Sequence, residues 1–297
     1  MLCVMAALLA SVELVVRFGL GRSSRIEGRI DGEHRAVLAM VRSSGPGTKV
    51  LVIGNSLLLL GVDFPVLQSA LGPQSKAARY VIEQTGYLDW YYGLRRLYSE
   101  GARPDAVVLP LSARQMITDS VRGEYFAHRM MNTSDVLDAA RDAKLSATGT
   151  FSLLLGRFSA FYGTRSETRK FVLIKAVPGV EDLVPYMIQG RDRNPLDHDR
   201  VVRIAGLRLK QMDELVRKHG GHFIFVVPAS LDPDEDVYLQ EAGRAAGVRV
   251  LVPLPTGSLS SKDFTDGFHL SPAGASRFTS ALARDIRGAI AEAVRKP

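Results

Sequence analysis

Short runs of aliphatic and β-branched residues alternate along the chain with longer segments whose apolar positions recur every three to four residues. Val50-Leu51-Val52-Ile53 predicts a strand over 49–53, and similar runs predict strands over 78–82, 106–111, 222–227 and 248–252. Between them lie helical segments with readable ends. Asp63-Phe64-Pro65 opens one with proline in the first turn, and Gly72-Pro73 closes it. Others span 88–100, 197–219 (closed by Gly220-Gly221) and 234–246, and a last one runs from Ser271-Pro272 to about 295. Strands alternating with crossover helices predict an α/β fold with a mostly parallel sheet of about five strands.

That rhythm fails between 112 and 196. No strand-like run appears there; a helix opens at Asn132 or Ser134 and runs to about 144, a second helical stretch covers 151–176, and a loop rich in Pro, Gly and charge follows to Pro195. An insertion of this size commonly forms a lid or substrate-binding subdomain. The first residues are mostly apolar, and the charged Glu13 and Arg17 among them are spaced i, i+4, which lets them pair. The expected organisation is therefore an N-terminal hydrophobic membrane-anchor helix at 1–21, a charged tether at 22–47, and an α/β domain at 48–297 carrying the helical insertion at 112–196. A buried N-terminal helix is the alternative. No basic n-region or small-x-small cleavage site marks a signal peptide. Arg22 and Arg25 beyond the apolar segment would favour a cytoplasmic body by the positive-inside rule.

A chain of 297 residues is long enough for a full core, and its single cysteine, Cys3, excludes an intrachain disulfide or a Cys-rich zinc site. The formal charge of +7 is spread over helices without aromatic interleaving, so it predicts no nucleic-acid partner. A basic surface favours an anionic polysaccharide or lipid headgroups, or is simply a solvated face. No two histidines pair at i, i+4 and no phosphate loop or dinucleotide fingerprint occurs, so neither metal nor cofactor is expected.

Two distant stretches carry the chemistry. Gly54-Asn55-Ser56 ends the first strand, where a tight turn presents the Ser56 hydroxyl at the carboxyl edge of a parallel sheet, beside the unpaired N–H groups of a helix start. Alternatively Ser56 only caps that helix. Asp266-Gly267-Phe268-His269 precedes the last helix; of the six histidines, only His269 follows an aspartate by three residues in a loop abutting a capped helix. Such spacing lets Asp266 orient the imidazole of His269 and stabilise its protonated form. Alternatively the pair is a turn former and a locally packed histidine. Together these are the parts of a nucleophilic serine site. Trp90, Tyr91 and Tyr92 are either core or a surface on which a sugar stacks, and Trp90 is the candidate substrate contact.

These stretches, Val50 to Ser56 and Asp263 to Gly274, resemble the SGNH/GDSL hydrolase family over about 48–112 and 197–295. The resemblance implies a flavodoxin-like three-layer α/β/α core, with Ser56 as nucleophile, His269 as general base and Asp266 as its orienting partner. It further implies an oxyanion hole from the backbone of Ser56 and of Gly86, which follows the second strand. The family's Asn after the third strand has no counterpart: the sequence there reads Pro110-Leu111-Ser112-Ala113-Arg114-Gln115. Ser112 or Gln115 is the substitute donor, and Arg114 and Gln115 are candidate substrate contacts. The apolar segment and the insertion resemble the membrane-associated branch, similar to envelope polysaccharide O-acetyltransferases and D-alanyl transfer proteins. That branch implies an ester- or polysaccharide-acting enzyme on the extracytoplasmic (periplasmic) face of the inner membrane, with a membrane-bound acyl-donor partner. The competing expectation is a non-catalytic, membrane-anchored scaffold that binds a glycan.

Overall fold

The structure is a computed structural model, described here over residues 1–42, 47–176 and 195–295. These divide into two compact units: Met1–Asp31 with Val121–Pro195, and Gly32–Ser120 with Leu196–Pro297. The expected division differs, because 1–31 groups with 121–195, while 112–120 groups with the strands.

The larger unit is built on a five-stranded parallel sheet, β1 (Thr48–Gly54), β2 (Ser75–Val81), β3 (Ala106–Pro110), β4 (His222–Val226) and β5 (Val250–Leu251), in the order β2-β1-β3-β4-β5. Such an order reverses direction between β1 and β3, and the crevice outside the carboxyl ends of those two strands is where open α/β sheets bind ligands. Strand periodicity sends Val50 and Val52 of β1, Ala106 and Val108 of β3, and Ile224 and Val226 of β4 to one face. There they bury with Leu67 and Leu71 of α4 (Phe64–Leu71) and with Phe278, Leu282 and Ile286 of the last helix (Pro272–Arg295). Leu51, Ile53, Val107, Leu109, Phe223 and Phe225 alternate to the opposite face and are equally buried. The long helix His198–Lys218 packs beside β4, with Val201, Ala205, Leu209, Met212 and Val216 buried along one stripe. Helices on both faces of a parallel sheet make a three-layer α/β architecture.

The segment read as a tether is instead helix α2 (Arg25–Arg42). Its mixed charges find partners. Glu33 accepts from Arg79 and from the Val81 N–H, His34 pairs with Glu100, and Val37 is buried. The rest of the expected tether, 43–46, lies outside the described residues. The smaller unit holds α1 (Leu2–Ser23) and, in the expected insertion, helices over Glu124–Met130, Val136–Asp142, Ala147–Phe158 and Ala160–Ala176. The single helix expected over 151–176 is two, broken at Ser159, whose hydroxyl accepts from the Tyr162 N–H. The 177–194 loop lies outside the described residues. Inside this unit Glu27 is buried against Tyr125 and Arg129, and Asp31 also pairs with Arg129. Among the described residues no helix is long and apolar enough to cross a membrane. The N-terminal segment is the helix Leu2–Ser23, with Glu13 and Arg17 inside its apolar run.

Gly274, in the first turn of the last helix, lies against the Asp263 backbone: an added Cβ would run into the Asp263 carbonyl oxygen. Alanine is the better helix former by about 1 kcal/mol, but here the obstacle is backbone rather than a side chain that can swing away. Gly274→Ala should therefore destabilise the protein by about 1–3 kcal/mol, read as a lower urea midpoint at unchanged m-value.

Candidate active site

Asn55 sets the nucleophile turn. It is fully buried, its Oδ1 accepts from the Leu57 N–H at 3.0 Å, and its Nδ2 donates to the Thr85 carbonyl at 2.8 Å. The first bond caps helix α3 (Ser56–Gly61); the second ties the turn after β1 to the turn after β2. Ser56 thus becomes the first helical residue, and its N–H, outside the helix ladder, has no acceptor among the described residues. Gly54 fits because an added Cβ would press on the Leu58 side chain at 3.2 Å.

The second half of the site is a short loop after β5. Phe264 and Leu270 form an isolated antiparallel bridge, and the Thr265 N–H donates to the His269 carbonyl at 2.8 Å. Gly267 at the tip has φ +76°, a left-handed conformation that favours glycine. Asp266 organises the loop and the ring together. Its Oδ1 accepts from the Phe268 and His269 N–H groups at 3.0 and 2.7 Å, and its Oδ2 lies 2.8 Å from His269 Nδ1. The other ring nitrogen, Nε2, is 3.0 Å from Ser56 Oγ. Residues 213 positions apart therefore form one chain of hydrogen bonds, Asp266–His269–Ser56. Partial burial works against the charge on Asp266, but the His269 N–H, the His269 ring and the Phe268 N–H outweigh it and hold the carboxyl below the usual aspartate range. The Phe268 ring stands edge-on to His269, with centroids 5.1 Å apart.

The remaining candidate residues make structural contacts of their own. The Gly86 N–H donates to Asp89 Oδ2 at 2.9 Å, capping helix α5 (Tyr87–Ser99). The Ser112 N–H donates to Gln115 Oε1 at 3.0 Å and the Ser112 hydroxyl accepts from the Gln115 N–H at 3.3 Å, a reciprocal cap on helix α6 (Ala113–Ile117). The Gly86 and Ser112 N–H groups are thus committed to helix caps, whereas the Ser56 N–H has no acceptor among the described residues. Gly86 and α6 touch, since a Cβ on Gly86 would lie 3.2 Å from the Gln115 carbonyl oxygen. Arg114 forms a long ion pair with Asp232, at 3.6 Å on the rim. Trp90 is not a substrate contact: it is fully buried, and its indole N–H donates to Thr85 Oγ1 at 2.9 Å.

Sequence reading missed three supports. Asn55, Thr85 and Trp90 form a relay that fixes the Ser56 turn. Arg208 donates to the Met116 and Thr118 carbonyls and pairs with Asp119, anchoring the end of α6. Glu235 is buried and accepts from the Ala113 N–H; burial raises its carboxyl, against the lowering effect of the Ser230 and Ala113 hydrogen bonds. An Asn directly before the serine at a strand–helix junction is a readable cap signal; the Arg208 and Glu235 contacts are long-range and leave none. Among the described residues, no group of three or more His, Cys, Asp or Glu side chains is placed to hold a metal ion.

No family model matches the sequence, and no curated protein does. Among solved structures, TesA is similar at 14% identity and TM-score 0.38, covering 79% of this chain and 96% of its own. A provisionally assigned platelet activating factor from Streptococcus pneumonia is similar at 14% identity and TM-score 0.41, covering 87% of this chain and 92% of its own. Likeness at this level carries no functional meaning.

Two outcomes follow from these bonds. Asp266→Asn keeps an oxygen for the two loop N–H groups but loses the carboxylate that orients His269. Any Ser56-dependent turnover should fall by on the order of ten-thousand-fold, with thermal unfolding little changed. Glu235 gives a pH signature. Burial holds its folded value above the ordinary 4.5, so the wild-type urea midpoint should decline as pH rises from there through the folded value. Glu235→Gln, which preserves the acceptor for Ala113, should lack that decline. Asp266 acts oppositely: its contribution is complete above its ordinary value of 3.8 and is lost as pH falls through its depressed folded value.

Proposed function

We propose that this chain is a serine-nucleophile enzyme acting on O-acyl esters through an acyl-Ser56 intermediate. The observation that carries it is the unbroken alignment of Asp266, His269 and Ser56, at 2.8 and 3.0 Å. In the first half-reaction Ser56 Oγ attacks the ester carbonyl carbon while His269 Nε2 takes its proton. Asp266 holds the Nδ1 proton and stabilises the imidazolium. The tetrahedral oxyanion is received by the Ser56 N–H. The C–O bond to the alcohol then breaks, His269 returns the proton to the departing oxygen, and the acyl group stays on Ser56. In the second half-reaction an incoming hydroxyl gives its proton to His269 and attacks the acyl carbon; collapse restores the Ser56 hydroxyl. With water this is ester hydrolysis, and with a sugar hydroxyl it is O-acyl transfer.

The finer reading is an O-acetyl ester of an envelope or exported polysaccharide, handled outside the cytoplasm with a membrane-bound acyl donor. Its support is the likeness of the apolar N-terminal segment and the insertion at 112–196 to the membrane-associated branch of the SGNH/GDSL pattern. The commitment of the Gly86 and Ser112 N–H groups to helix caps favours a second reading, a non-catalytic glycan-binding scaffold.

A serine-directed fluorophosphonate separates the two. Wild type should be labelled covalently and Ser56→Ala should not; absence of labelling in folded wild-type protein would leave the scaffold. Acetate release from an acetylated oligosaccharide, measured with and without a second acceptor oligosaccharide, then distinguishes hydrolysis from transfer.

A further inference from the structure

Helix α6 has five residues, too few to hold its own turns in water, and two buried charges grip it from opposite ends. At its start, Glu235 of the helix Glu235–Ala246 accepts from the Ala113 N–H. At its end, Arg208 of the helix His198–Lys218 donates to the Met116 carbonyl at 2.6 Å and the Thr118 carbonyl at 3.1 Å, and pairs with Asp119. A carboxylate at a helix N-terminus and a guanidinium at its C-terminus both complement the helix dipole. Asp234, directly before Glu235, takes φ +63°, a left-handed conformation that a residue with a side chain adopts where its surroundings impose it. Buried charge pairs add little net stability, so their use on so short a helix is better explained by the position it must keep.

That position borders Ser56. Strands β1 and β3 pair with Val50 opposite Ala106 and Val52 opposite Val108, and a Cβ on Gly54 would lie 3.5 Å from the Pro110 ring. Continued by two residues, this register brings Ser56 and Ser112 out of the sheet as neighbours. β1 lies between β2 and β3, and the segments that follow those two strands meet beside its end. Asn55 holds the Thr85 carbonyl, and the next residue, Gly86, packs against the Gln115 carbonyl of α6. The Gln115 carboxamide is itself fixed at one end, where Oε1 accepts from the Ser112 N–H at 3.0 Å. Its Nε2, on a half-buried side chain, has no acceptor among the described residues.

We propose that Glu235 and Arg208 are positioning residues that hold α6 against the Ser56 turn and so set Gln115 Nε2 as a donor to the acyl oxygen of the substrate. Neither charge touches the reacting atoms; both act through the Gln115 amide. The inference rests on the acyl-Ser56 reading and adds to it two residues from helices remote in sequence.

Hydrolysis of p-nitrophenyl acetate and the rate of fluorophosphonate labelling, both on the full chain, test it. Gln115→Ala should lower kcat by roughly a hundredfold or more, as loss of an oxyanion donor does. Glu235→Ala should lower kcat by about a hundredfold, the effect of a displacement of about 1 Å, with KM changed far less. Glu235→Gln, which keeps an acceptor for the Ala113 N–H, should recover most of that loss. Because both residues act through one amide, Glu235→Ala/Gln115→Ala should be no slower than Gln115→Ala alone. Arg208→Lys keeps the charge but loses the fork that spans two carbonyls, and should be several-fold slower. It replaces Glu235→Ala, in the single and the double variant, if that substitution prevents folding by circular dichroism. Wild-type rates in the folded Glu235 and Arg208 variants overturn the inference, as does a double variant in which the two losses multiply. Folded wild type that neither turns over nor is labelled overturns the acyl-Ser56 reading itself, and the inference falls with it.

Discussion

The candidate site depends on one buried carboxamide. Asn55 has no contact with solvent, and both ends of its amide are used: the oxygen caps α3 and the nitrogen holds the Thr85 carbonyl. A buried amide left unpaired costs about 1–3 kcal/mol, so the two turns are locked together by the same group that would be penalised if they separated. Trp90 extends the lock from below, because its indole N–H fixes the Thr85 hydroxyl, which itself donates to the Ile82 carbonyl at 2.7 Å. The consequence is positional. Ser56 is delivered at the first turn of a helix, at the carboxyl end of β1, in place before any ligand arrives.

The other half of the site is organised by a carboxylate instead of an amide. Asp266 shapes a loop and orients a ring with the same two oxygens, so the geometry of His269 is set locally and does not depend on how the rest of the loop packs. That locality is why the spacing of the pair left a readable signal, which the resemblance to the family then turned into roles. A strand of continuous buried aliphatics followed by Gly-x-Ser is also a local signal, and β1 runs close to where the pattern puts it. The edges of the sheet were less legible. Strand β2 begins at Ser75, three residues before its apolar run, because an edge strand tolerates Lys76 and Arg79 on the ladder. Strand β5 shortens to Val250–Leu251 because hydrogen bonding with β4 stops there, a fact no local pattern contains.

Two other differences have distinct physical sources. The break at Ser159 is reinforced by Glu13, whose carboxylate caps the following helix from 147 residues away; only the tertiary fold brings it there. The commitments of Gly86 and Ser112, by contrast, were written in the sequence. Gly86-Tyr87-Leu88-Asp89 and Ser112-Ala113-Arg114-Gln115 both have the N-cap to N3 spacing at which an acidic or amide side chain reaches back to the cap N–H. The same spacing that starts each helix properly withdraws a donor from the site.

Magnitudes decide what that withdrawal means for chemistry. An oxyanion donor contributes about 2.7–4 kcal/mol to an acyl-transfer transition state. The Gly86–Asp89 bond involves a buried carboxylate, so breaking it costs about 1.5–3 kcal/mol, with more added if Asp89 finds no replacement partner. Recruiting Gly86 for a developing negative charge therefore comes close to balance, whereas the Ser56 N–H, with no acceptor among the described residues, joins at no such cost. Of these two backbone donors, a reaction at this site would thus begin with one in place and gain little from the other. Esters with good leaving groups, which need less oxyanion stabilisation, would suffer least from that arrangement. The rate would then be governed chiefly by how well Asp266 and His269 hold the Ser56 hydroxyl for attack.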